Sequence, residues 1–212
     1  MLDPIEAGRL ISAARDDRLG SMAVLALATG MRMGEVLGLR WCDVDLDAGV
    51  LRVTYALQRV DGKLALVQPK TERSRRVIPL PAVAVDALRR RRSQWQDDQL
   101  AAGGQWKGTV GDEPAAGDPV FANVNGTLLS PERAWHAFKR LLRSAGLPES
   151  IRFHDLRHSA ASLLLASGVP MREVADVLGH SSTALLGSTY GHVVPSLRRS
   201  ARVMDSLLGD TE

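Results

Sequence analysis

Along most of the chain the apolar residues return every three or four positions, and in one middle stretch they alternate instead. This pattern predicts helices on both sides of a small patch of strand. The first helix spans 3–18: Asp3 is placed to cap it, Pro4 suits its first turn, and Ile5, Leu10, Ile11 and Ala14 form one face. Residues 21–29 are nearly all apolar, so this helix belongs at the centre of the fold. Thr29-Gly30 cuts it just before Met31-Arg32-Met33-Gly34-Glu35, and a third helix runs from about 34 to 39.

Alternation then predicts three short antiparallel strands, Val50 to Tyr55, Lys63 to Val67 and Arg75 to Leu80. Asp61-Gly62 turns the first into the second, and the polar loop Lys70-Thr71-Glu72-Arg73-Ser74 joins the second to the third. So small a sheet must pack on helices. Helix resumes over 81–101, and 103–119 reads as an irregular excursion rich in Gly, Pro and acid. Ser130-Pro131 opens a further helix ending at Gly146, with Trp135, Phe138, Leu141 and Leu142 on its buried face. Segments 154–167, 170–178 and 195–208 complete the helices. The expected fold is mainly α with a small three-stranded antiparallel β-sheet at one edge, an α+β class.

At 212 residues, 45% hydrophobic and 24% charged, the chain can bury a real core, which excludes disordered and collagen-like classes. No apolar run reaches the ~18 residues of a membrane span, and 21–29 is too short for a signal peptide, so the expectation is a soluble cytoplasmic protein. A single cysteine, Cys42, excludes an internal disulfide framework and any multi-cysteine zinc site. Net charge is only +3, yet 23 of the 27 basic residues are arginine. That bias suits phosphate recognition, and a GC-rich coding sequence would produce it equally. Distribution says more: Arg52 to Arg92 carries +8 and the remainder −5. Within that segment Arg89 to Arg92 point all round a helix and read as a solvated face.

Chemistry-bearing side chains gather in four places. His154-Asp155-Leu156-Arg157-His158-Ser159 puts His154, Arg157 and His158 at i, i+3 and i+4 of one helix, where three basic groups repel and require an anion. A phosphate suits them better than Asp155 alone, since Arg152-Phe153 sets His154 beside a helix N-terminus. Leu178-Gly179-His180-Ser181-Ser182 ends a helix at a glycine and hands on a histidine and two hydroxyls. Ten residues after His180 stands Tyr190, one of two tyrosines, in a polar context between Thr189 and Gly191 that reads as exposed. Arg32, between two glycines, either bridges to Glu35 or is held towards a ligand. Pro69-Lys70-Thr71 places one lysine at the mouth of a polar loop.

Arg32, Lys70, His154 with Arg157, His180 and Tyr190, in this order, resemble the catalytic domain of the tyrosine recombinases, the phage integrase family. The matching strings are Thr29 to Trp41 (TGMRMGEVLGLRW), Pro69-Lys70-Thr71, His154 to Ser159, Leu178 to Ser182, and Tyr190-Gly191-His192-Val193. The interval from His180 to Tyr190 is one residue longer than in many members. The resemblance implies that Arg32 and Arg157 clamp a DNA phosphate, that His180 donates to it, and that Tyr190 attacks phosphorus. It implies Lys70 as general acid for the leaving 5′-oxygen and His154 as the group assisting proton transfer from the tyrosine. Glu35 and Asp155 would steady the cationic residues, and Arg73, Arg75, Arg76, Ser181 and Ser182 would touch DNA. Neither metal nor ATP is required, since the 3′-phosphotyrosyl link conserves the bond energy.

The partner implied is a double-stranded recombination site, with a homo-oligomer, a tetramer, assembling on it in a bacterial nucleoid. Members normally carry a helical DNA-binding domain first, so 1–212 is expected to be the catalytic domain without it, either shortened or incomplete. Helix 195–208 packs either on its own domain or on a neighbour. Rival readings are a DNA-binding module without activity, a type IB topoisomerase-like relaxing enzyme, and a zinc hydrolase using His154 and His158. The last would need Glu where Asp155 stands, and would set Arg157 beside a dication. His158 reads as a core histidine, Trp41 and Trp135 as core, and His192 as trimming its loop.

Overall fold

The computed structural model describes residues 1–68, 75–108, 117–179 and 194–209. In chain order these form α1 (Pro4–Ala14), α2 (Gly20–Thr29), α3 (Met33–Leu37), β1 (Val44–Asp45), β2 (Val50–Val53), β3 (Ala56–Val60), β4 (Lys63–Val67) and β5 (Arg76–Pro79). α4 (Ala82–Ala102), α5 (Pro131–Ser144), α6 (Phe153–Ala166), α7 (Met171–Leu178) and α8 (Val194–Leu208) follow. The fold is mainly α with small antiparallel sheets.

All ten residues of α2 are buried, and α1, α4, α5, α6 and α8 surround it. Its small and aliphatic side chains let helices approach from every side, which is why an amphipathic stripe is missing there. α1 starts as its sequence demands: Asp3 accepts from the Glu6 N–H at 2.8 Å and the Glu6 carboxylate accepts from the Asp3 N–H at 3.0 Å. The Leu2 N–H then donates to Ser159 Oγ at 2.7 Å, tying the amino end to α6. α8 packs on its own domain, against α1, α6, α7 and β5, with Met204 and Leu208 buried. Among the described residues no helix is long and apolar enough to cross a membrane.

The strands differ from expectation. The three-stranded sheet is β1-β2-β5, and β3-β4 is a separate ribbon closed by Asp61 (φ 46°) and Gly62 (φ 78°). The expected strand 50–55 breaks after Val53 because Thr54 and Tyr55 are engaged elsewhere. Thr54 Oγ1 donates to Asp43 at 2.9 Å, and the Arg40 guanidinium, paired with Asp43 at 2.7 Å, lies 4.4 Å over the Tyr55 ring. β2 therefore pairs with β5, Leu51 opposite Ile78, and the ribbon lies on α3, where a Cβ at Gly38 would meet Ala56 Cα at 2.9 Å.

Two further expectations are corrected by burial. Trp135 is not core: it is 46% exposed, and Ala134, Ala137, Phe138, Leu141 and Leu142 carry the buried face of α5. Its ring instead meets His136 edge-on and lies 5.5 Å from Lys139 Nζ, which reaches on to the carbonyls of Glu149 and Ile151. Nor is Arg89 to Arg92 wholly a solvated run. Arg91 is 0% exposed, its Nε donating to the Val120 carbonyl at 2.8 Å and its Nη1 3.5 Å from Asp98, which also pairs with Arg18. Burial and the nearby Arg18 charge pull Arg91 down to about 10 despite Asp98. Arg92 lies over Trp41 and Trp95 at 4.7 and 5.0 Å.

Candidate active site

The site begins where α2 ends. Gly30 caps it in the left-handed region at φ 65°, a conformation that favours glycine, and a Cβ there would fall 2.1 Å from Leu178 Cδ2 and displace that side chain. Its carbonyl accepts from Arg157 Nη1 at 2.7 Å. Met31 returns to the core, and Arg32, extended at φ −74° and ψ 152°, precedes the first turn of α3. The Arg32 N–H donates to Glu35 Oε2 at 3.0 Å and its Nη1 to Oε1 at 2.9 Å, yet the side chain stays 43% exposed. Of the two sequence alternatives for Arg32 the bridge to Glu35 is present, and the side chain remains partly exposed beside it.

Glu35 is buried and serves two arginines. Arg76 grips it from β5, Nη2 to Oε2 at 2.9 Å and Nη1 to Oε1 at 3.2 Å. Burial pushes the Glu35 carboxyl up, but the Arg76 fork and the Arg32 contacts outweigh it and hold the group below its ordinary range. Arg76, expected from sequence to touch DNA, is thus committed to Glu35. Its side chain is 8% exposed and turned inward, on the same strand parity as the buried Ile78. Arg75 points the other way, is exposed, and bonds the Gln68 side chain.

α6 supplies the rest. Asp155 closes a capping box with Arg152, accepting from its N–H at 2.8 Å and from its Nη2 at 2.8 Å. Those bonds depress the Asp155 carboxyl to about 2, and its partner is Arg152 rather than His154 or Arg157. Arg157 plunges inward, 3% exposed, and its Nη2 has no hydrogen-bond partner among the described residues. Burial first, then the charges of Arg32 and Arg76, lower Arg157 to about 10, with Glu35 opposing. Glu35 thus bonds two guanidiniums while a third, Arg157, only feels its charge, and the excess positive charge lies beside a buried donor that has no partner among the described residues. A phosphate oxygen answers both needs.

His154 is exposed on the first turn of α6, its ring 4.8 Å from that of His158 at an interplanar angle of 88°. His158 is exposed as well, which corrects its reading as a core histidine: i+4 from His154 puts it on the outer side of the helix, while Arg157 takes the inner. Desolvation, then His158, Arg157 and Arg32, hold the His154 imidazole below the ordinary 6.5, against a weaker pull from Asp155. The neutral form of the ring is therefore favoured beyond that of an ordinary histidine. Because its folded value lies below the unfolded one, acidification through the window between them protonates the unfolded chain first and costs stability. We predict that an NMR titration places the His154 midpoint below 6.5, and that His158→Gln moves it upward. A midpoint unmoved by His158→Gln would remove His158 as a cause.

Lys70, Arg73, His180, Ser181, Ser182 and Tyr190 lie outside the described residues. Among the described residues no three His, Cys, Asp or Glu side chains form a metal-binding group. Sequence reasoning missed the inward course of Arg76 and its contact with the end of α7, where its Nε donates to the Val177 carbonyl at 3.2 Å. The strand parity shared with Ile78 was the signal that could have found it.

The described residues thus form a mainly α domain in which Arg32 and Arg76 bond one buried carboxylate and Arg157 lies beside them with an unpaired donor. The sequence profile of the phage integrase family matches residues 1–196, and the chain belongs to that family. A tyrosine recombinase XerC-like protein of Caldanaerobacter subterraneus subsp. tengcongensis is 30% identical over 205 residues, covering 92% of this chain and 51% of that protein. An integrase of Saccharopolyspora erythraea is 32% identical over 252 residues, covering 93% and 55%. The chain thus spans about half the length of these curated relatives. Its fold is similar to that of the Tn1549 transposon integrase, solved in complex with transposon right end DNA. There the TM-score is 0.71 at 21% identity, covering 98% of this chain and 65% of that one.

Proposed function

We propose that this chain cuts and rejoins DNA strands at specific sites as the catalytic part of a tyrosine recombinase, through a 3′-phosphotyrosyl intermediate on Tyr190. The observation that carries this proposal is the buried Arg157, fastened at Nη1 to the Gly30 carbonyl and without a partner at Nη2 among the described residues, beside the half-exposed Arg32. A phosphodiester is anionic and resists attack, so a site for it must hold charge on the non-bridging oxygens before the nucleophile arrives. Arg32 and Arg157 suit that task, with His180 adding a donor.

The Tyr190 oxygen forms the new bond to phosphorus as the bond to the 5′-oxygen breaks. His154 receives the phenol proton, and Lys70 gives a proton to the leaving oxygen. The phosphotyrosyl ester keeps the energy of the broken linkage, so attack by another 5′-hydroxyl reseals DNA with no need for ATP or metal. The partner in this proposal is a double-stranded recombination site in the bacterial cytoplasm, bound by a homotetramer. The test is a nicked suicide substrate whose cleaved end diffuses away. The chain should become covalently attached, and peptide mapping should find DNA on Tyr190. Binding without any adduct would leave a DNA-holding module and overturn the proposal.

A further inference from the structure

The geometry points to Arg76 as a positioning residue that locks the Arg32 turn and the end of α7 into one unit, rather than as a contact to DNA. Its guanidinium is shared between two distant segments: Nη1 and Nη2 hold Glu35 at 3.2 and 2.9 Å, and Nε donates to the Val177 carbonyl at 3.2 Å. Glu35 in turn fixes Arg32 at its N–H and at Nη1. Val177 lies one residue before the end of α7 and three residues before His180.

The helix cap is shaped to the same side chain. Gly179 ends α7 in the left-handed region at φ 67°, and a Cβ there would stand 3.1 to 3.2 Å from Cδ, Nη1 and Cζ of Arg76. All the nearest atoms to that position belong to Arg76. The glycine therefore leaves room for the guanidinium beside the helix end. In sequence, Arg76 follows Lys70 by six residues at the start of β5. One planar cation thus joins the Arg32–Glu35 turn to the end of α7. A lysine could supply the charge, but not the three-direction fork.

The consequence for catalysis rests on the recombinase proposal; the consequence for the structure does not. The test is Arg76→Gln, with Arg76→Lys as the milder variant should the first fail to fold. By amide hydrogen exchange, Val36, Gly38 and Gly179 should all exchange at least about tenfold faster than in the unaltered chain, while the amides of α1 stay unchanged. Single-turnover cleavage at saturating DNA should fall at least about tenfold, with DNA affinity changed less than about threefold. In an Arg32→Lys background the same change should slow cleavage less than about threefold further, because Arg76 acts through the Arg32 turn; a merely destabilising change would be additive.

Unchanged exchange at either Val36 or Gly179 overturns the proposal, as does a loss of DNA affinity with cleavage at saturating DNA unaltered. Full additivity with Arg32→Lys does the same. If the unaltered chain forms no covalent adduct, the recombinase proposal falls, and the exchange measurement alone decides the role of Arg76.

Discussion

Arg157→Ala is expected to slow single-turnover DNA cleavage by about 10²- to 10³-fold, the usual effect of deleting one preorganised donor to a developing oxyanion. Two features suit Arg157 to that role in the proposed reaction. Its Nη1 is already spent on the Gly30 carbonyl at 2.7 Å, which fixes the plane of the guanidinium, and its Nη2 is buried with no partner among the described residues. A donor held in this way loses no freedom when the reacting phosphate arrives. It also sits where burial and the charges of Arg32 and Arg76 have lowered it to about 10, so an anion relieves a cost already present in the folded chain.

The same balance limits the damage to stability. Removing Arg157 strands the Gly30 carbonyl, a loss of about 1–3 kcal/mol, but also removes a cation repelled by two others. DNA affinity should change less than about threefold, since one phosphate contact is a small part of a many-phosphate interface. Arg157→Lys restores charge without the fork and should recover little. Quench-flow cleavage with titrated DNA separates the two quantities, and cleavage within about threefold of the unaltered chain would take Arg157 out of the site.

What the sequence could disclose depended on whether a residue's neighbours along the chain were also its neighbours in space. Helix ends were legible because caps are local: Asp3 with Glu6, Ser130 with Arg133, Gly30 and Gly179. The strands were less so, because the fate of Thr54 and Tyr55 is set by the Arg40–Asp43 pair, more than ten residues upstream. Arg91 looked like one of four equivalent arginines, and only Asp98, seven positions on along the same helix face, marked it as the one turned inward. At the site, Arg32 and Glu35 could be paired from their spacing. The third member, Arg76, is 41 residues away, and its connection to Glu35 is a tertiary fact that no local pattern carries. The charge excess on residues 52–92 therefore misled in part: two of its arginines, Arg76 and Arg91, are consumed inside the protein.

Tyr190→Phe is expected to lower covalent capture of a suicide substrate at least about 10⁴-fold, below detection, which is the scale on which removal of a sole nucleophile acts. The substitution keeps the ring and deletes only the oxygen, so DNA affinity should be unaltered and the loss falls wholly on the chemical step. Substitution by another phenol is the one escape, and the chain offers a single alternative, Tyr55. That ring lies 4.4 Å beneath the Arg40 guanidinium in the turn between β2 and β3, a contact that uses its face for packing. Tyr55→Phe keeps the ring under Arg40 and should leave capture intact. The pair of variants thus assigns the adduct by difference: capture lost in Tyr190→Phe and kept in Tyr55→Phe places the covalent bond on Tyr190. Capture that survives Tyr190→Phe would show that this chain breaks DNA with another nucleophile, or does not break it in this way at all.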